Sequence, residues 1–150
     1  MSKNNYFPLF IDLSDDRILV VGGGNVALRK TRTLQRFCGR ITVVAPDILP
    51  DFAALEGVTC IRRGFESADL EGVRMAIIAT NDRELNAEIA SMCRAEGILK
   101  NVASDRTLCD FYFPAIADLE EDLVVGISSG GDPARTRQAR ERLEQLWSSQ

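Results

Sequence analysis

Ile18-Leu19-Val20-Val21-Gly22-Gly23-Gly24-Asn25-Val26-Ala27 decides how this chain of 150 residues folds. Four consecutive apolar residues end at a glycine. A helical pattern follows over Val26–Cys38, with Ala27, Leu34 and Phe37 or Cys38 on one side and Arg29, Lys30, Arg32 and Arg36 largely on the other. In such a strand, turn and helix, each small residue of Gly22, Gly24 and Ala27 has a use. Gly22 permits the sharp turn, Gly24 lets the backbone approach a pyrophosphate, and Ala27 allows the helix to pack close on a sheet. The helix N-terminus adds unpaired N–H groups and a positive dipole, which suit phosphates.

Outward from that stretch, apolar runs alternate with helical ones. Ile41–Val44, Val58–Ile61, Met75–Ala79 and Ile98–Val102 read as strands. Ile48–Leu55 reads as a short helix, and a longer one runs to about Glu96 from Asn81, with Glu84 at capping-box spacing. Wholly apolar strands separated by helices imply a parallel sheet covered on both faces. Right-handed crossovers make it a doubly wound, Rossmann-type sheet with strand order 3-2-1-4-5. After Asn101 the pattern changes. Phe111–Ile116 and Leu123–Ile127 are strand-like, and Asp132 and Pro133 open a helix to about Trp147. Two strands and a helix are too little for a stable domain. They extend the first sheet or pair with a second subunit. The expected organisation is a nucleotide-binding domain over 1–110 and a small α+β dimerisation segment over 111–150.

Composition narrows the classes. The 45% hydrophobic and 27% charged residues are ordinary for a globular domain, so neither disorder nor a fibrous chain is indicated. A net charge of −4 argues against nucleic acid as the main partner. No apolar run approaches the ~20 residues of a membrane span. Met1 to Phe10 lacks the pattern of a signal peptide. The cysteines, Cys38, Cys60, Cys93 and Cys109, form no CxxC pair, and there is no histidine. No metal site follows from such spacing, and Ser-His or Cys-His catalysis is excluded. A cytoplasmic protein with mostly core-placed thiols is expected. The run of Arg135, Arg137, Arg140 and Arg142 with Glu141 and Glu144 reads either as a solvated helix face or as an anion-binding surface.

Asp47, past the end of the second strand, is near the place of the acid that binds the cofactor ribose. No arginine sits beside it to favour a 2′-phosphate, which points to NAD over NADP. Thr80 and Asn81 follow the fourth strand at the switch point, where small polar residues suit the ribose and nicotinamide side. Asn81 equally serves as a helix cap.

Tyr6-Phe7-Pro8-Leu9-Phe10-Ile11-Asp12-Leu13, the glycine turn with Arg29-Lys30, Val43-Val44-Ala45-Pro46, Ala79-Thr80-Asn81-Asp82, Asn101-Val102, Leu108-Cys109-Asp110-Phe111 with Pro114-Ala115, and Ser128-Ser129-Gly130-Gly131 occur in this order. Together, from Asn5 to Trp147, they resemble the siroheme synthase family, whose members are precorrin-2 dehydrogenases and in some cases also sirohydrochlorin ferrochelatases. The resemblance implies oxidation of precorrin-2 to sirohydrochlorin with NAD as hydride acceptor, and a homodimer interlocked through the part after Phe111. It implies cofactor contacts at Gly22, Gly24, Asn25, Val26, Pro46 and Asp47. The family's catalytic aspartate, which follows the Asn-Val pair, is replaced by Ser104, with Asp105 next to it. This departure bears on the base and on iron insertion alike. Bifunctional relatives also continue into a further helical segment.

The cofactor carries the hydride chemistry, and a carboxylate near the ring can take the proton. Asp105 is the candidate base. Ser104 cannot serve as one at neutral pH without an activating neighbour. The many carboxylates of the substrate call for oriented donors, which Ser128, Ser129, Gly130 and Arg135 would supply. The competing reading is a non-catalytic NAD(H)-sensing regulatory module. It gives the motifs at Leu108–Phe111 and Ser128–Gly131 no purpose.

Overall fold

Branched apolar side chains at Ile18, Val20, Val21, Ile41, Val43, Val44, Ile77 and Ile78 suit strands buried on both faces. A computed structural model of the protein, describing residues 6–149, places them at the centre of a sheet. Met1–Asn5, which the sequence reading assigns to the first domain, and Gln150 lie outside the described residues. Strands β1 (Arg17–Val21), β2 (Ile41–Val44), β3 (Val58–Ile61), β4 (Val73–Ile78) and β5 (Leu99–Val102) are all parallel, in the order β3-β2-β1-β4-β5. Helix α1 (Asn25–Leu34) connects β1 to β2, and α2 (Arg83–Glu96) connects β4 to β5. The two crossovers run in opposite directions along the sheet. Right-handedness therefore puts the helices on opposite faces. The doubly wound expectation is met. Leu19, Val21 and Ile78 pack with Ile89, Ala90 and Cys93 of α2 in one buried cluster.

Several local readings need correction, among them the strand read over Phe111–Ile116, which runs over Ala115–Glu120, and the helix read over Ile48–Leu55, which is a 3-10 turn over Pro50–Ala54. The first helix stops at Leu34 rather than Cys38, because the backbone tightens: Arg36 N–H donates to Thr33 O and Phe37 N–H to Leu34 O. The cap of α2 is Asp82, not Asn81. Its carboxylate accepts from the N–H groups of Glu84 and Leu85, both at 3.0 Å. Cys60 is exposed on the edge strand β3, whereas Cys38 and Cys93 are buried.

The register sets the site. Val21 pairs with Val44 and with Ile78, and Val44 with Ile61, so the carboxyl ends of the strands are level. Gly22 N–H then donates to Val44 O at 3.0 Å, and Ala79 N–H to Val21 O at 2.8 Å. The loops after β1, β2 and β4 leave the sheet side by side.

The chain divides into two compact units. Leu9–Phe111 is the sheet just described. The other comprises residues from Tyr112 on together with 6–8, where the Tyr6 ring stacks on Tyr112 with centroids 3.8 Å apart. Its strands β6 (Ala115–Glu120) and β7 (Leu123–Ile127) form a separate antiparallel hairpin rather than extending the first sheet. Helix α3 (Pro133–Ser148) follows, with Asp132 as its cap. Among the described residues no helix is long and apolar enough to cross a membrane.

Candidate dinucleotide site

Gly22 has φ +124°, and a Cβ there would stand 2.3 Å from the Ala79 carbonyl oxygen. Only glycine fits so tight a crossing of β1 and β4 ends. Gly23, to which the motif assigns no role, is just as constrained. A Cβ there would come within 2.2 Å of Asp47 O, and the Gly23 carbonyl accepts from Leu49 N–H at 3.0 Å. Gly24 is the opposite case, since a Cβ would meet no atom within 4 Å. The space beside it is open to a ligand. Helix α1 begins there without any side-chain cap, whereas aspartates cap α2 and α3. Its first N–H groups, at Asn25 and Val26, have no intrahelical acceptor. Open space beside glycine and a bare helix end together fit a pyrophosphate. Ala27, on α1 itself, is fully buried, as close helix–sheet packing requires.

The turn opens into a cleft of about 570 Å³. Gly22, Gly24, Pro46, Asp47, Thr80 and Asn81, all expected at the site, line it. Asp47 is exposed at its rim. Arg62 lines the cleft as well, and its guanidinium donates to Ile48 O at 3.1 Å. The sequence reading finds no arginine next to Asp47. The parallel register supplies one from the end of β3.

On the other side of the cleft, a buried asparagine on α2 organises the ends of β4 and β5. Thr80 Oγ1 donates to Asn86 Oδ1 at 2.5 Å, and Asn86 Nδ2 donates to Thr80 O and to Ser104 Oγ, both at 3.1 Å. Because the Ser104 oxygen accepts, its hydroxyl proton points elsewhere as a donor. Asn86 was missed from sequence. Its place in the first turns of α2 gave no sign of it. Asp105 is exposed and caps a short 3-10 turn, accepting from Thr107 N–H at 2.9 Å and Thr107 Oγ1 at 2.6 Å. The Thr107 hydroxyl, then its N–H, hold the Asp105 carboxyl below the usual carboxylate range. It stays ionised at neutral pH, though as a weak base.

Lys30, read from sequence as part of the polar face of its helix, turns inward. Its Nζ donates to Asn101 Oδ1 at 3.0 Å, and Asn101 Nδ2 donates to Phe111 O at 2.9 Å. Burial, then the neighbouring Arg29, pushes the Lys30 ammonium down to about 8. Next to Asn101 in the sequence of β5, Lys100 is buried and binds both Asp110 oxygens at 2.8 Å. These contacts secure the end of the first unit.

Ser128, Ser129, Gly130 and Arg135 belong to the other unit. Ser128 is exposed. Ser129 Oγ lies 2.7 Å from Asp132 O, to which it donates, and 2.6 Å from Thr136 Oγ1. The Asp132 carboxylate accepts from Ala134 N–H and Arg135 N–H at 3.0 Å, so it takes up two donors of that helix end.

Such a fold, with a bare glycine turn opening into a cleft at the strand ends, defines a dinucleotide-binding domain. Residues 9–115 match the profile of a family described as "Putative NAD(P)-binding", and the chain belongs to that family. It is also 45% identical over 143 residues to a siroheme synthase of Ectopseudomonas mendocina (strain ymp), a match covering 93% of this chain and 30% of the relative. Siroheme synthase 1 of Cronobacter sakazakii (strain ATCC BAA-894) is 43% identical over 145 residues, covering 94% and 31%. The chain thus spans less than a third of the length of these relatives. Among solved structures it is similar to SirC, precorrin-2 dehydrogenase, with TM-score 0.72 and 27% identity over 94% of this chain and 71% of that one. The likeness read from the motifs is borne out.

Proposed function

We propose that the chain oxidises precorrin-2 to sirohydrochlorin with NAD, as a cytoplasmic homodimer in siroheme biosynthesis. One observation carries this reading: the uncapped glycine turn and its cleft stand in a chain that follows SirC, precorrin-2 dehydrogenase, over nearly its whole length. When bound, NAD supplies the hydride acceptor. The chain's own residues bind and orient. Gly22, Gly24, Asn25 and Val26 hold the pyrophosphate. Pro46 and Asp47 meet the adenosine end, and Thr80 and Asn81 the nicotinamide side. Asn86 fixes Ser104 as a hydrogen-bond donor toward the substrate, and Asp105 takes the proton. In the second unit Ser128, Gly130 and Arg135 receive substrate carboxylates, and Ser129, whose hydroxyl proton goes to Asp132 O, holds the loop that carries them.

The same reading assigns NAD binding to the first unit and dimerisation to the second. Leu123, Val124, Leu146 and Trp147 are exposed, and α3 buries no residue. Exposed apolar side chains of this kind suit burial against a second copy, which is what supports the assignment. Incubating the protein with precorrin-2 and NAD should produce sirohydrochlorin absorbance. If NAD binds but no product forms, a non-catalytic NAD(H)-sensing role replaces dehydrogenation.

A further inference from the structure

The adenosine end of the cleft carries two opposite charges on neighbouring strand ends. Asp47 follows β2, and Arg62 follows β3. Both line the cleft and both are exposed. The backbone between them is held from two sides. Asp47 O abuts Gly23, Leu49 N–H donates to Gly23 O at 3.0 Å, and Ile48 O accepts from Arg62 Nη1 at 3.1 Å. The guanidinium is therefore seated one residue from Asp47 along the chain. That single carbonyl uses one of its five N–H donors.

At this point of a dinucleotide-binding sheet, an acid after β2 recognises the ribose diol, and a nearby arginine accommodates a 2′-phosphate. A guanidinium with donors to spare matches a phosphate dianion, and its charge offsets the repulsion from Asp47. We propose that Arg62 forms a 2′-phosphate subsite, so that the cleft takes NADP as well as NAD. The inference rests on the cleft being the dinucleotide site. Arg62 acts only on ligands that carry the 2′-phosphate. Asp47, at the same place, favours the unphosphorylated ribose.

Calorimetry on the full chain with NAD+, NADP+, 5′-AMP and 2′,5′-ADP tests it. The parent protein should bind both dinucleotides, and 2′,5′-ADP more tightly than 5′-AMP. Arg62→Ala should weaken NADP+ and 2′,5′-ADP by about tenfold or more, as loss of a charge-assisted hydrogen bond does, and leave NAD+ within about twofold. Arg62→Lys should recover part of the loss, because it returns the charge without the fork. Asp47→Asn should tighten NADP+. Raising the salt concentration should weaken NADP+ more than NAD+. The inference is overturned if the parent binds NAD+ but not NADP+. It is equally overturned if Arg62→Ala weakens both dinucleotides alike, which would mark the side chain as an adenine contact, or weakens neither. Failure of every ligand to bind, NAD+ included, would instead remove the dinucleotide reading of the cleft.

Discussion

The two units of this chain bury their apolar residues to very different extents. In Leu9–Phe111 the central strands are sealed on both faces; Ile18, Leu19, Val20, Ile77 and Ile78 are all at 0% exposure. From Tyr112 on, only Ala117 is buried among the described residues, and β7 and α3 contribute none. Nor is composition the cause, because Leu123, Val124, Val125, Ile127, Leu146 and Trp147 are as apolar as the first unit's strands. The first unit has five strands and two helices to close around a core. A lone hairpin with one helix has too few layers. Its apolar side chains are left for something else to cover.

Core truncation breaks the comparison most sharply. Ile77→Ala should cost about 2–5 kcal/mol in denaturant unfolding, because a fully buried branched side chain leaves a cavity. Val124→Ala, at an exposed position, should stay within about 0.5 kcal/mol of the parent. Equal costs would mean that the second unit is packed as tightly as the first.

Charges placed on the apolar surface of the second unit sharpen the same contrast. Val124→Glu with Leu146→Glu should halve the mass seen by light scattering and leave NAD affinity in place. A variant that stays dimeric would move the interface elsewhere.

Chemistry in the first unit should respond to Asp105. Asp105→Asn should lower turnover of precorrin-2 by about 10²-fold, the low end for a lost base, since Thr107 already weakens the carboxylate. The sign for pH follows from the lowered pKa. The charged form persists below the usual carboxylate range, so the acidic limb of the parent's rate profile should begin only there. A limb near neutrality would assign the proton to another group.

At the glycine turn, steric demand and ligand binding separate over two positions, Gly22 and Gly24. Gly24→Val enters open space, so unfolding should hardly change, while NAD affinity falls by about tenfold as the pyrophosphate loses its close approach. Gly22→Ala should destabilise by about 1–3 kcal/mol instead, since its backbone is left-handed and its Cβ would strike Ala79 O. Wild-type affinity in Gly24→Val would make the turn merely structural.

The smallest effect concerns Lys30. Its pKa falls from 10.5 when unfolded to about 8 when folded, so between these values the unfolded chain binds more protons. Stability should rise with pH in that window. Burial raises the Cys93 thiol from 9.0 to about 11, which lowers stability above pH 9. The rise should therefore show between about pH 8 and 9 and vanish in Lys30→Met, as read by urea midpoints. A flat parent profile there would contradict the buried ammonium.

Much of this was legible in the residues. The apolar runs, the turn at Gly22–Ala27, and the cap Asp132 with Pro133 all depend on neighbours within a few positions. From alternation and crossover handedness the strand order β3-β2-β1-β4-β5 followed. The residues that escaped notice are those whose partners lie far along the chain. Arg62 reaches Ile48 because two parallel strands end level. Asn86 joins Thr80 to Ser104 across two loops. Lys30 leaves the polar face of its helix for Asn101.

The sequence alone thus determined the local grammar: which stretches are strands and helices, where the turn must be glycine, and which family the ordered motifs resemble. Periodicity and backbone sterics act over a few residues, and a few residues suffice to read them. Only the tertiary structure decided that Gly23 must be small, that Arg62 lines the same cleft as Asp47, that Asp105 is held by Thr107, and that the described residues of the second unit bury little apolar surface. Each of these depends on distances through space between segments far apart in the chain. Those distances exist only once the sheet has set its register.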